Sequence, residues 1–179
     1  MDKQSLAMSI AQQYLTFQIR EELFALSIET VKEILEYSEI TPIPLMPEFV
    51  KGVLNLRGQM VPVIDLSMRL SDIPTELHRR SCILILDVPF QQKVVVLGVV
   101  VDAVKEVRDI DPSQIDPPPA FGDKIRSQFI KGVANLENEF VVLLHGNRVL
   151  SADEASELLE AGSHSNPASD QASDQAREA

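Results

Sequence analysis

Tryptophan is absent from the 179 residues, and aromatic side chains make up only 5% of them. A core without large rings must be filled by Val, Ile and Leu, which favours strands over helices. Cysteine is reduced to Cys82. A single thiol forms no internal disulfide, and a reducing cytoplasm fits such a chain best. Basic residues are few: 16 Lys and Arg stand against 27 Asp and Glu, for a net charge of −11. An acidic surface is repelled by phosphate backbones and anionic lipids, so nucleic acid and membrane surfaces are poor partners. No apolar run reaches the roughly 18–20 residues of a membrane span. The longest, VVVLGVVV at 94–101, is strand-sized. The N-terminus lacks the continuous apolar core of a signal peptide.

The familiar catalytic signatures are also missing. There is no GxxxxGK, GxGxxG, HExxH, CxxC or GxSxG. His78 lies in a charged loop beside Arg79 and Arg80 and reads as a solvated histidine. His145 closes a strand, and His164 falls in a polar tail. Cys82 opens a Val- and Ile-rich strand and reads as a small core residue rather than a nucleophile. Asp102, Glu106, Asp109, Asp111 and Asp116 read as a solvated acidic rim. No catalytic residue, cofactor or metal ligand is assigned. An enzyme such as a hydrolase is the reading of a different class, and it would need a polar cluster in one pocket.

What is present is a repeat. FVKGVLNLRGQMVPVIDLSMRL at 49–70 aligns without a gap with FIKGVANLENEFVVLLHGNRVL at 129–150. A second echo, around a shared Val-Lys-Glu, joins 24–34 to 97–107. The chain therefore reads as two diverged copies of one unit, 14–70 and 82–150. Each copy is small enough for an isolated core to be marginal, and the two gain by burying apolar surface against each other.

Residues 1–12 are polar and expected to be flexible. YLTFQI at 14–19 alternates as a half-buried strand and returns through Phe24, Leu26 and Ile28. Ser27 is a possible cap for one helical turn. VKEILEY extends again, and TPIPLMPEF at 41–49, with three prolines, is a rigid connector. Pro62 suggests that the strand at 58–66 is an edge or carries a bulge. In the second copy, 81–88 and 93–101 form a hairpin around Pro89-Phe90-Gln91-Gln92, and the valine run at 94–101 implies burial on both faces. Ser151 and Glu154 have capping-box spacing for a helix at 152–161. Residues 162–179 lack large apolar side chains and read as a disordered acidic tail. The whole is mostly β, with about five short strands per copy, the pattern of small antiparallel barrels.

The most informative motif is Lys51-Gly52-Val53-Leu54-Asn55-Leu56-Arg57-Gly58. Gly52 and Gly58 permit tight backbone turns, and Asn55 suits a turn. Arg57 falls at a strand-to-strand corner. There its guanidinium either bonds a partner or forms an internal salt bridge, for example to Glu33, and the spacing leaves both open.

VKEI at 31–34, the proline connector, FVKGVLNLRGQMVPVIDL at 49–66, the VVLGVVVDAVKEV segment and PPPAF together resemble CheW, the chemotaxis coupling family. The resemblance runs from about Tyr14 to Leu159, within a domain taken as 13–161. It implies two packed five-stranded SH3-like β-barrels on a shared apolar seam. It implies a non-enzymatic cytoplasmic adaptor, held at receptor arrays on the inner face of the membrane. Its partners would be the cytoplasmic tips of chemoreceptors and the regulatory domain of the histidine kinase CheA. Carried over by motif, Val31, Glu33, Gly52, Arg57 and Val107 would bind receptor, and Phe121 would face the kinase and the array. Phe121 could equally plug the end of its own barrel. The second copy departs from the family with LLHGNRVL, where a Leu-Asp step is commoner, and Asp116 replaces a basic residue of some relatives. An adaptor of another chemosensory circuit, serving surface motility or a second messenger, is the alternative.

Overall fold

Val- and Ile-rich segments with two-residue turns dictate hairpins, and hairpins dominate the architecture. The structure, a computed structural model, describes residues 11–118, 127–151, 154–158 and 160. The expected disordered tail and Phe121 lie outside these residues, as does the N-terminus up to residue 10. β1 (Gln12–Ile19), β2 (Glu22–Ser27), β3 (Val31–Glu36), β4 (Val50–Leu56) and β5 (Gln59–Asp65) lead into the short helix α1 (Leu66–Ser71). β6 (Cys82–Phe90), β7 (Lys93–Val101), β8 (Ala103–Ile110), β9 (Ile115–Asp116), β10 (Ile130–Leu136) and β11 (Glu139–Leu144) follow.

The strands form a six-stranded sheet, ordered β8-β1-β2-β11-β10-β9, and a five-stranded sheet, ordered β3-β6-β7-β5-β4. The expected mostly-β architecture of two packed units is present; in detail the sheets have six and five strands, do not close as barrels, and each draws on both sequence copies. The leading hairpins have changed places: β1–β2 joins the second copy's sheet, and β6–β7 joins the first copy's. Each guest hairpin docks on one side through a short parallel ladder, Val63–Asp65 along Gly98–Val100 and Val141–Leu143 along Leu23–Ala25, and on the other through an antiparallel ladder, β6 with β3 and β1 with β8. Neither sheet closes by a ladder between its edges. The five-stranded sheet instead curls until Thr41, in the connector beyond β3, bridges Val53 of β4, and Glu33 of β3 pairs with Arg57 in the turn after β4.

Exchange explains the core. The largest buried cluster takes Leu15, Phe17 and Phe24 from one sheet and Ile64, Leu84, Leu97 and Val99 from the other. This is the shared apolar seam. Full burial of each such side chain is worth about 1.5–3 kcal/mol. Two smaller clusters fill the curled sheets, one around Tyr14, Ala134 and Val141, the other around Val61, Val63 and Ile85. β1 is thus buried on both faces rather than half-buried, with Tyr14 in a separate cluster from Phe17 and Thr16 bonded to both backbone polar groups of Glu106.

The repeat persists in detail. The register slips at Lys51–Gly52 and again at Lys131–Gly132. The Asp65 amide donates to Phe49 O (2.7 Å), and the His145 amide donates to Phe129 O (2.9 Å), the same bond 80 residues on. The copies diverge just after it. Asp65 caps α1 through the Met68 amide and also accepts from Thr75, whereas His145 makes no cap bond and only a three-residue 3-10 turn follows. The departure at LLHGNRVL therefore reshapes a loop.

Smaller corrections are local. The segment after Ser27 is a turn, not a helical one. Pro62 lies in an interior strand, at a point paired with β4 but before the ladder to β7 begins at Val63. The β6–β7 turn is Gln91–Gln92 alone, both at positive φ. Val94 remains 63% exposed despite the valine run. The capping box at Ser151 and Glu154 is formed, residues 154–158 are helical, and Ala155 and Leu158 are buried.

Candidate functional site

The β4–β5 hairpin ends in a two-residue turn, Arg57 (φ +51°) and Gly58 (φ +87°). The left-handed angles match the strand twist, and the Asn55 side chain accepts from the Gly58 amide (2.9 Å), locking the turn. This fixed backbone aims Arg57 at β3. Its guanidinium donates to both Glu33 carboxylate oxygens, at 2.6 and 3.2 Å. The internal salt bridge left open by the sequence is therefore formed. Arg57 keeps 68% of its side chain exposed, so the pair is a surface feature with unused donors.

The Arg57 hydrogen bond holds the Glu33 carboxyl below the usual carboxylate range, and Glu33 in turn raises Arg57. A depressed carboxylate pKa contributes above the ordinary glutamate range and is lost as pH falls through the depressed value. The pair thus stays intact throughout neutral pH. In carboxyl NMR, Glu33 should titrate below an ordinary glutamate, and Arg57→Ala should return it upward. A midpoint unmoved by the substitution would mean that the pair does not form in solution.

The other residues expected to bind receptor are distributed around this pair. Val31 sits on β3, packed against the main core. Gly52 is buried beneath the connector, where Thr41 and Pro42 cross it, and so acts on the surface through that connector. Val107 is 48% exposed on β8, an edge of the other sheet. The two edges border one junction, because Glu36 of β3 and Ala103, Val104 and Lys105 of β8 line a common cavity of about 360 Å³. Ile34, 45% exposed on β3, was missed. The signal was available: the 24–34/97–107 echo pairs Ile34 with Val107.

A second surface lies on the six-stranded sheet. A cavity of about 690 Å³ opens among Leu23, Pro117, Val133, Phe140 and Val142, rimmed by Glu21, Glu22, Asp116 and Glu139. Phe140 is 67% exposed. Arg108 of β8 bonds Glu139 at the head of β11 (3.2 Å), an ion pair of reversed polarity to Glu33–Arg57. Alternation in EFVVLLH gave no hint that Phe140 faces outward.

The remaining titratable groups serve locally. Asp102 accepts from the Arg20 amide, and Asp111 caps a 3-10 turn. Burial pushes the Cys82 thiol up, and its Sγ donates to Arg80 O. Burial pushes the His145 imidazole down.

The CheW-like domain family model matches residues 13–154. A chemotaxis protein CheW of Klebsiella aerogenes is 32% identical over 146 residues, 82% of this chain and 86% of that protein. Protein FrzA of Myxococcus xanthus is 30% identical over 140 residues, 78% and 85% of the respective chains. The crystal structure of the scaffolding protein TtCheW from Thermoanaerobacter tengcongensis superposes with a TM-score of 0.71 at 32% identity, covering 81% of this chain and 91% of that one.

Proposed function

The chain belongs to the CheW-like domain family, and from that membership we propose that it is a scaffold, without chemistry of its own, coupling chemoreceptor tips to the regulatory domain of the histidine kinase CheA. The exposed Glu33–Arg57 pair on a locked hairpin tip carries the reading. A planar guanidinium with free donors, held rigidly, recognises carboxylates or backbone carbonyls at low ordering cost. The receptor side comprises Val31, Glu33, Arg57 and Val107, with Gly52 beneath it and Ile34 added. The kinase and array side is Phe121 together with the second sheet, where Phe140 stands beside the 690 Å³ cavity. No helix among the described residues is long and apolar enough to cross a membrane, so membrane association would come through the receptors. Separate modest contacts become strong when several are engaged together.

Arg57→Ala should weaken binding to receptor cytoplasmic fragments about tenfold, an energy typical of a charge-assisted bond, while kinase binding and Tm hold. Phe140→Ser should do the reverse. Equal losses to both partners from either substitution would overturn the two-surface reading. A relative named otherwise, FrzA, is as similar to this chain as several relatives named CheW, and a second reading has the same surfaces serve another chemosensory circuit. The receptors and kinase recovered with the protein from its own cell separate the two.

A further inference from the structure

The cavity at the sheet junction is basic in a chain of net charge −11. Arg79, Arg80 and Lys105 line it against one carboxylate, Glu36. All three cations are exposed, and their side chains pair with none of the described residues. Nor is the loop that presents the arginines loose. The His78 amide donates to Ser81 Oγ (2.9 Å) and the Arg80 amide to His78 Nδ1 (3.1 Å). The Ser81 amide returns to His78 O (3.0 Å), and the Tyr37 amide just past β3 donates to Ser81 O (3.1 Å). The positive charges thus sit on a backbone fixed to the end of β3, and binding them costs little further ordering.

We propose that this cavity extends the receptor-facing surface and selects receptors that present an acidic segment. The inference rests on the receptor-scaffold reading. Continuity supports it: β3 carries Glu33, Ile34 and the cavity's Glu36, and β8 carries Val107 and the cavity's Val104 and Lys105. Apolar Ile34, Val104 and Val107 therefore flank the cations along both strands, which fits a segment with apolar residues beside its carboxylates. A long polyanion fits poorly. Beyond the cavity it would meet Glu33, Glu106 and Asp109, exposed or half-exposed on the same strands, and the acidic remainder of the chain.

The test titrates the full chain with purified cytoplasmic fragments of its own cell's receptors, at about 50 mM and about 500 mM salt, where screening lengths differ severalfold. Arg79→Glu/Arg80→Glu should weaken receptor binding about tenfold at low salt, or about 1.4 kcal/mol. It should also flatten the salt dependence shown by the native chain and leave kinase binding unchanged. Arg79→Gln/Arg80→Gln should give a smaller loss, and it serves as the test if the double reversal lowers Tm. Unchanged affinity in these variants, beside a loss in Arg57→Ala, overturns this inference alone. Indifference to all the substitutions overturns the receptor reading with it. Binding to anionic phospholipid vesicles that vanishes in the double reversal would assign the cavity to lipid instead, and would equally overturn the proposal.

Discussion

Gly52→Ala is expected to cost about 3–5 kcal/mol, from one strained backbone position and one overpacked contact together. Gly52 holds φ at +145°, where side-chain-bearing residues are rarely found. A Cβ there would be driven into Thr41 O, and would lie 2.6 Å from Thr41 C and 2.9 Å from Pro42 Cα. These are backbone atoms, and Pro42 and Pro44 stiffen the segment that would have to move. Thr41 and Val53 exchange both their amide bonds, at 2.8 and 2.9 Å, so yielding breaks the bridge that closes the curled sheet. Urea unfolding should show a markedly lower midpoint, and the Val53 amide should lose hydrogen-exchange protection. An unchanged midpoint would show that the connector gives way freely. Gly132 tests the same principle in the second copy. A Cβ there meets Ile115 Cγ2 at 2.6 Å and Asp116 O at 2.8 Å. One of these is a side-chain methyl that can turn aside, so Gly132→Ala should cost less than Gly52→Ala.

These two glycines also show what the sequence could reveal. Their common place in the gapless 49–70 and 129–150 alignment disclosed the repeat, and with it the strand order within each copy and the shared seam. The hairpin exchange was not legible. Each hairpin is specified by adjacent residues, but its neighbour in the sheet is chosen by packing across the whole chain. β1–β2 is equally self-consistent beside β3 or beside β11. Arg57 was legible as a corner residue with two possible partners, and only the curl of the sheet, bringing opposite edge strands together, selects Glu33. The basic cavity was still less visible, because it gathers residues 36, 79–82 and 103–105 from three separate stretches of the chain. The second ion pair, Arg108–Glu139, does not occupy repeat-equivalent positions to the first, so no alignment could have found it.

The repeat has a centre, and Arg69 occupies it. Phe49 and Phe129 are 80 residues apart, and the Arg69 guanidinium lies over both rings, at 4.4 and 5.0 Å from their centroids. Arg69 and Val149 are also 80 residues apart, and the Arg69 Nε donates to Val149 O at 2.8 Å. The terminal nitrogens hold Glu154 in a two-pronged bond, at the start of the helical residues 154–158. One side chain on α1 therefore ties the first copy's Phe49 to the second copy's Phe129, its closing turn and the helix that follows. Only 12% of it is exposed. Truncation leaves the partly buried Glu154 with the Ser151 amide but without its cation, and removes the Val149 bond and both ring contacts, so Arg69→Ala should cost about 2–4 kcal/mol. Arg69→Lys keeps the charge but not the planar fork, and should recover less than half of that loss. Hydrogen exchange should rise first around 149–158, before the seam opens, because those residues lose their anchor while the strands keep theirs. A double-mutant cycle with Glu154→Gln separates the parts. A coupling near zero would assign the stability to contacts other than Glu154, among them the two rings and the Val149 carbonyl, and would remove the helix from the clasp.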